Sequence, residues 1–188
     1  MQAGAHLCQH LLGLHRVEVF VLALAHTVGV QILRAAEGGS RPVTAVIYYP
    51  AEGEAKLTWL GLTPAMLARD ALVSAGQHPL ILISHGTAGS PTGHLDTAVA
   101  LAERGFIVAA LVHNGDNYQD QSSVGVTNWI SDRAHEVVRV NDYLLSAWSQ
   151  RSSIDANRIG LFGFSAGATT ALANIGATPN FALAPEAC

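Results

Sequence analysis

The chain has 188 residues, the length of one ordinary domain, which leaves no room for two. Hydrophobic residues make up 49% and charged residues only 13%, about half the usual share of roughly 25%, and that balance excludes a disordered chain. Basic residues number 10 against 14 acidic ones, a formal net charge of -4 with no basic run, which argues against nucleic acid or an anionic membrane as a partner.

The first 27 residues are the least legible, and we leave them unassigned. The run Val17–Ala25 follows a lone Arg16 and ends on small residues in the manner of a signal peptide, but Glu18 interrupts the apolar stretch. It is also too short and too charged for a transmembrane helix, so no integral membrane segment is expected. Localisation stays open between the cytoplasm and, if that segment is a signal, a secreted or periplasmic site.

From Val28 the pattern is regular. Val28–Leu33 and Val43–Tyr49 are β-rich runs separated by Glu37-Gly38-Gly39-Ser40, which reads as a hairpin or short loop. Pro64 to Ala75 has helical composition and is expected to pack over an edge. Leu80–Ile83 suits a strand buried on both faces. Leu95, Ala98, Val99 and Ala102 form the stripe of an amphipathic helix that Gly105 stops. Phe106–Leu111 is a second buried strand. After the polar stretch His113–Asn128, Val137, Val140, Leu144 and Trp148 recur at helical spacing. Ile159–Phe162 is a third strand, and Ala168–Ile175 reads as a helix. Alternation of this kind implies a mostly parallel sheet with helices on both faces, preceded by two antiparallel strands.

The strongest chemical signal is Gly163-Phe164-Ser165-Ala166-Gly167, set between a strand and a helix. A serine on so sharp a turn takes strained backbone angles that lift its hydroxyl clear of the sheet, and small residues must flank it. The next helix points its positive end at the site, where it stabilises a developing oxyanion. The competing reading is a glycine-rich turn with an incidental serine; the strand–turn–helix context favours a nucleophile. The second signal is Ser84-His85-Gly86-Thr87-Ala88-Gly89-Ser90, at the C-terminal end of the Leu80–Ile83 strand, where parallel sheets handle ligands. Its glycines let the Thr87 backbone approach a substrate. Alone it is an ordinary turn; beside Ser165 it reads as half of an oxyanion hole, with the amide of Ala166 as the other half.

With these stretches in hand, the chain resembles the predicted dienelactone hydrolases and platelet-activating-factor acetylhydrolase-like esterases of the α/β-hydrolase superfamily. The matching segments are His78–Thr87, Gly105–Val108, Gly115–Tyr118 and Ile154–Gly160 leading into the serine turn. The resemblance covers residues 28–188, which we take as the N-terminal part of a hydrolase domain. It implies Ser165 as nucleophile and the amides of Thr87 and Ala166 as oxyanion donors, with no cofactor or metal and a small-molecule ester as substrate. True dienelactone hydrolases use a cysteine nucleophile, so a serine at 165 does not carry that activity over. Ala168 stands where relatives often have another glycine.

The superfamily's triad runs in chain order serine, acid, histidine. All 9 histidines lie upstream of Ser165, and only Glu186 follows it among acids. The acid and base are therefore expected beyond Cys188, and the chain is read as truncated after the nucleophile helix and inactive as it stands. The alternative is a non-catalytic module of the same fold or an inert fragment. His85 and His113 are the upstream histidines that could stand in for the base, and neither is expected to: the resemblance gives His85 to the oxyanion loop, and His113, with Asp116 nearby, is the more interesting of the two. Cys8 and Cys188 make no disulfide framework, and the His6–Cys8–His10 spacing lacks a further metal ligand. Asp132, Arg133, Glu136 and Arg139 alternate in sign and read as a solvent-exposed helix face.

Overall fold

The computed structural model describes residues 25–36 and 41–178. The apolar run from Val17 to Leu24, the His6–Cys8–His10 cluster, the Glu37–Ser40 loop and the tail bearing Glu186 and Cys188 lie outside it.

The aliphatic runs become seven strands of one mixed sheet: β1 (Thr27–Ala35), β2 (Val43–Ala51), β3 (Lys56–Leu60), β4 (Thr63–Arg69), β5 (His78–Ser84), β6 (Ile107–Val112) and β7 (Ile154–Gly163). Their order across the sheet is β3-β4-β1-β2-β6-β5-β7. β1 and β2 pair antiparallel along their whole length, as the two leading runs imply. β5 is the parallel neighbour of both β6 and β7, so the three strands end together on one side of the sheet. Helices α1 (Leu95–Ala102) and α2 (Trp129–Ser146) fill the crossovers, and α3 (Ala166–Asn174) comes after the last strand.

Period-two alternation divides the core between the two faces. On one, α2 lays Val137, Val140 and Leu144 against Ile47, Leu80, Leu82, Ala109 and Leu111. On the other, α1 lays Ala98 and Ala102 against Val30, Val46, Tyr48, Ile83 and Val108. The strands at the centre therefore carry aliphatic side chains at successive positions, since both faces are covered. Gly105, at φ +89°, ends the α1 connection in the left-handed conformation that glycine tolerates without strain.

One expectation fails. Pro64–Ala75 is not helical: residues 63–69 are β4, paired antiparallel with β3 and in parallel with β1. Its alanine, methionine and leucine favour helix in isolation. Pairing on both sides, with Leu67 and Ala68 buried and Met66 and Arg69 outward, outweighs that local preference. Gly61, at φ +62°, makes the tight β3–β4 turn.

The candidate active site

Ser165 lies two residues past the end of β7, after Phe164, and immediately before the first residue of α3, with φ 53° and ψ -122°. This is a left-handed conformation that costs a non-glycine residue of order 1–3 kcal/mol and persists only where the surroundings impose it. The imposing contacts are backbone ones. The Phe164 N–H donates to the Ser84 carbonyl at 3.2 Å, and Gly167 N–H to the Phe164 carbonyl at 2.8 Å. A side chain at Gly163 would overlap the backbone of Gly167, and one at Gly167 would overlap the Ser84 carbonyl. The two glycines are small because strand, turn and helix meet there. Ser165 itself is exposed, and among the described residues no side chain hydrogen-bonds its hydroxyl.

The loop after β5 approaches from the other side. A Cβ placed on Gly86 would stand 3.3 Å from Ser165 Cβ, so the loop backbone passes in contact with the serine. The loop closes as a turn, with Gly89 N–H donating to the Gly86 carbonyl at 3.0 Å, and Ala88 sits at φ 56°. Ala88 N–H donates to Asp116 Oδ1 at 2.7 Å. Among the described residues no acceptor takes the N–H of Thr87 or of Ala166. Of the three non-glycine residues with positive φ among the described residues, two, Ala88 and Ser165, belong to this site.

Beneath the turn lies a buried polar network. Ser84 Oγ is 2.8 Å from His113 Nε2, and His113 Nδ1 is 2.8 Å from Glu136 Oε2. The tautomer that satisfies every partner carries the proton on Nδ1, donating to the carboxylate, while Nε2 accepts from Ser84. Arg133 joins the parts. Its guanidinium donates to Asp116, to the His85 carbonyl, to Ser84 Oγ at 3.1 Å and, through Nε, to Thr170 Oγ1 at 3.0 Å. Thr170 donates in turn to the Ala166 carbonyl at 3.0 Å. One side chain thus ties the loop that holds Thr87 to the helix that begins at Ala166. Trp129 Nε1 donates to Asp116 Oδ2 at 2.8 Å, and the Asn114 N–H to Glu136 Oε1 at 3.1 Å.

Burial sets the charge states. It lowers His113 to about 3, with the Arg133 charge adding to the effect and Asp116 opposing it. It lowers His85 to about 4 against the opposing bond to the Gly86 carbonyl. Both rings are neutral at pH 7. Burial pushes Asp116 upward, but the donors Ala88 N–H, Trp129 and Arg133 carry it below its ordinary value. Burial holds Glu136 above the usual carboxylate range against the Asn114 N–H and the charges of Arg139 and Arg133.

These contacts bear on the upstream histidines and correct the reading of the charged helix face. Neither upstream histidine bonds Ser165: His113 is fully buried with both ring nitrogens engaged elsewhere, and His85 donates Nδ1–H to the Gly86 carbonyl at 2.7 Å. Asp116 partners Arg133 rather than His113. The charged face of α2 is also not a solvent face, since Arg133 and Glu136 are 1% and 4% exposed while Asp132 stays outside. The missed signal was their register: Arg133 continues the Val137–Val140–Leu144 stripe at i, i+4, i+7 and i+11, and a charge there must find buried partners.

Among the described residues no cluster of three or more histidines, cysteines or acids is placed to hold a metal ion, and no helix is long and apolar enough to cross a membrane.

Known proteins match this architecture. The ferulic acid esterase from Streptomyces cinnamoneus superposes with a TM-score of 0.68 at 19% identity, over 79% of this chain and 55% of that one. The dienelactone hydrolase from Anabaena variabilis gives 0.55 at 15% identity, over 79% and 57%. The fold is that of the α/β-hydrolases. A dienelactone hydrolase-like promiscuous phosphotriesterase from metagenomic libraries gives 0.52 at 19% identity, over 79% and 54%. This hydrolase-fold chain spans a little over half the length of each. The family described as platelet-activating factor acetylhydrolase, isoform II, matches residues 62–146, a stretch that holds the Gly86 loop and the Ser84–His113–Glu136 line and stops short of Ser165. No curated protein matches in sequence.

Proposed function

We propose that the chain carries the nucleophile half of a serine ester hydrolase. Ser165 is the nucleophile, and the backbone N–H groups of Thr87 and Ala166 receive the oxyanion. The observation that carries this reading is the strained, exposed Ser165 with the Gly86 loop in contact beside it.

The reaction follows from that placement. Ser165 Oγ attacks the ester carbonyl carbon while its proton passes to a general base. The carbonyl π pair moves onto oxygen, which the two N–H groups stabilise. Collapse of the tetrahedral intermediate breaks the bond to the alcohol, which leaves with that proton. Water then repeats the sequence on the acyl-enzyme and frees the acid. No cofactor enters.

His85 and His113 are engaged elsewhere, so we place the base and its acid outside residues 25–178, beyond Cys188 in the chain order of the superfamily. A serine hydroxyl without a base is a weak nucleophile at neutral pH. The 188-residue chain alone is therefore expected to hydrolyse p-nitrophenyl acetate near background, whereas the protein as its gene encodes it hydrolyses the ester and its Ser165→Ala variant does not. Rapid turnover by the 188-residue chain, lost in Ser165→Ala, would sink the placement of the base, and His113→Ala would then test that histidine in the role. That no described side chain bonds Ser165 as a base favours, as second reading, a non-catalytic module, which predicts background turnover in every form.

A further inference from the structure

A hollow of about 360 Å³ lies on the α1 face of the sheet, at the end where β5 and β6 terminate. Its floor is Ile32, Thr44, Val46 and Val112, which are cross-strand neighbours: Ile32 pairs with Val46, and Thr44 with Val112. It exists because α1 is short. Ala98 and Ala102 cover the rows nearer the sheet centre, and no residue of α1 lines the hollow. One wall is the β3–β4 turn, Leu60 to Thr63, and the other is Ser90 to Thr92. The two walls touch through Thr63 and Thr92, whose hydroxyls are 3.5 Å apart. Tyr118 stands at the rim, its N–H donating to the Gly89 carbonyl at 2.9 Å. Ile32, Leu62 and Tyr118 are 53%, 95% and 58% exposed, an apolar lining that nothing described covers.

The hollow adjoins the serine through one loop. Gly86 touches Ser165, and the Gly86–Gly89 turn brings those two Cα atoms within about 7 Å. Ser90, the next residue, begins the far wall with its Cα within about 11 Å of that of Gly86, so this one loop runs from the serine to the cavity. A larger groove, lined by Val138, Ile159, Leu172 and Ile175, runs along the free edge of β7. It lies on the α2–α3 face, under the elbow rather than beside the oxyanion loop.

We infer that this hollow is the subsite for the uncharged, apolar acyl or aryl group of the substrate, with Ile32, Leu62 and Tyr118 setting how large that group is. The inference rests on Ser165 being the nucleophile. Among the described residues no ionised side chain lines the cavity, so a charged acyl group would lose its hydration there without a partner among them. Its volume falls in the range of pockets that enclose small ligands, which run from about 300 Å³ upward. Each methylene taken from water into such a lining favours binding by a factor of about four.

The test compares methyl and hexyl fluorophosphonates as labels of Ser165 in the protein as its gene encodes it, with the site read by mass spectrometry. The subsite predicts that the hexyl probe labels at least about tenfold faster. Ile32→Trp, which fills the hollow from a half-exposed position, brings that ratio toward one. Leu62→Ser, at the exposed turn, lowers it by a smaller factor and guards against a folding artefact of the larger substitution. Leu57→Ala, on the outward face of the same hairpin, keeps the ratio. Equal rates for the two probes, or a ratio that survives Ile32→Trp, overturns the subsite while leaving the nucleophile in place. Failure of both probes to label Ser165 overturns the nucleophile and the subsite with it.

Discussion

Ser84 ends β5 and Ser165 lies two residues past the end of the neighbouring β7, and their surroundings are opposite. Ser84 is fully buried, donates to His113, accepts from Arg133, and stands in line with His113 and Glu136 in the hydrogen-bond order of a catalytic triad. Ser165 is exposed, strained at φ 53°, and bonded to no described side chain. The complete triad-like set is the one that no substrate can reach. A serine–histidine–carboxylate line is also simply a way to satisfy buried polar groups, and burial that keeps His113 neutral does so with no reaction in view. What marks a nucleophile is access and imposed backbone strain, and Ser165 has both.

The sharpest way to break that contrast is to remove the strain. Gly163→Val forces a side chain into the Gly167 backbone and is expected to cost about 4 kcal/mol or more, enough to prevent native folding, as read by loss of a cooperative urea transition. Next comes Arg133→Met, which leaves Asp116 as a buried charge without its cation. The expected loss is about 3–5 kcal/mol in urea unfolding, and hydrogen exchange should rise first in residues 85–89 and the start of α3, the two segments the guanidinium joins. Exchange that rises evenly over the whole chain would contradict that role.

Acid probes the buried side of the comparison. His113 and His85 have folded pKa values near 3 and 4, below the unfolded value of about 6.5. Their protonation therefore opposes the folded state. Stability is complete above about pH 6.5 and falls as pH drops toward those folded values. Asp116, held low, adds a loss at the acid end, and Glu136, held high, offsets part of it. The melting temperature should thus decline from pH 7 to pH 4, and a flat profile would mean the histidines are not buried neutral. Ser84→Ala is the smallest change. It removes one donor from His113 and one acceptor from Arg133, a loss of about 1–3 kcal/mol in urea unfolding.

Much of the fold was legible because the central strands are buried on both faces and read as unbroken aliphatic runs, as at Leu80–Ile83. The serine turn was legible for a related reason: crowding there admits only glycine at 163 and 167, and that leaves a pattern in the chain. Residues 63–69 were not, since their strand character comes from pairing with β1 and β3, which local composition does not encode. The Ser84–His113–Glu136 line was hidden because its members lie on three separate elements, and no spacing links them. Arg133 and Glu136 did leave a trace, as charges in an apolar helical register, but alternating signs on a helix ordinarily mean a solvated face.

The most direct measurement is the site of covalent modification by a fluorophosphonate in the protein as its gene encodes it, mapped by peptide mass spectrometry. A single adduct on Ser165, abolished by Ser165→Ala and retained in Ser84→Ala, is the result this account predicts. An adduct on Ser84, or labelling that survives Ser165→Ala, would contradict it.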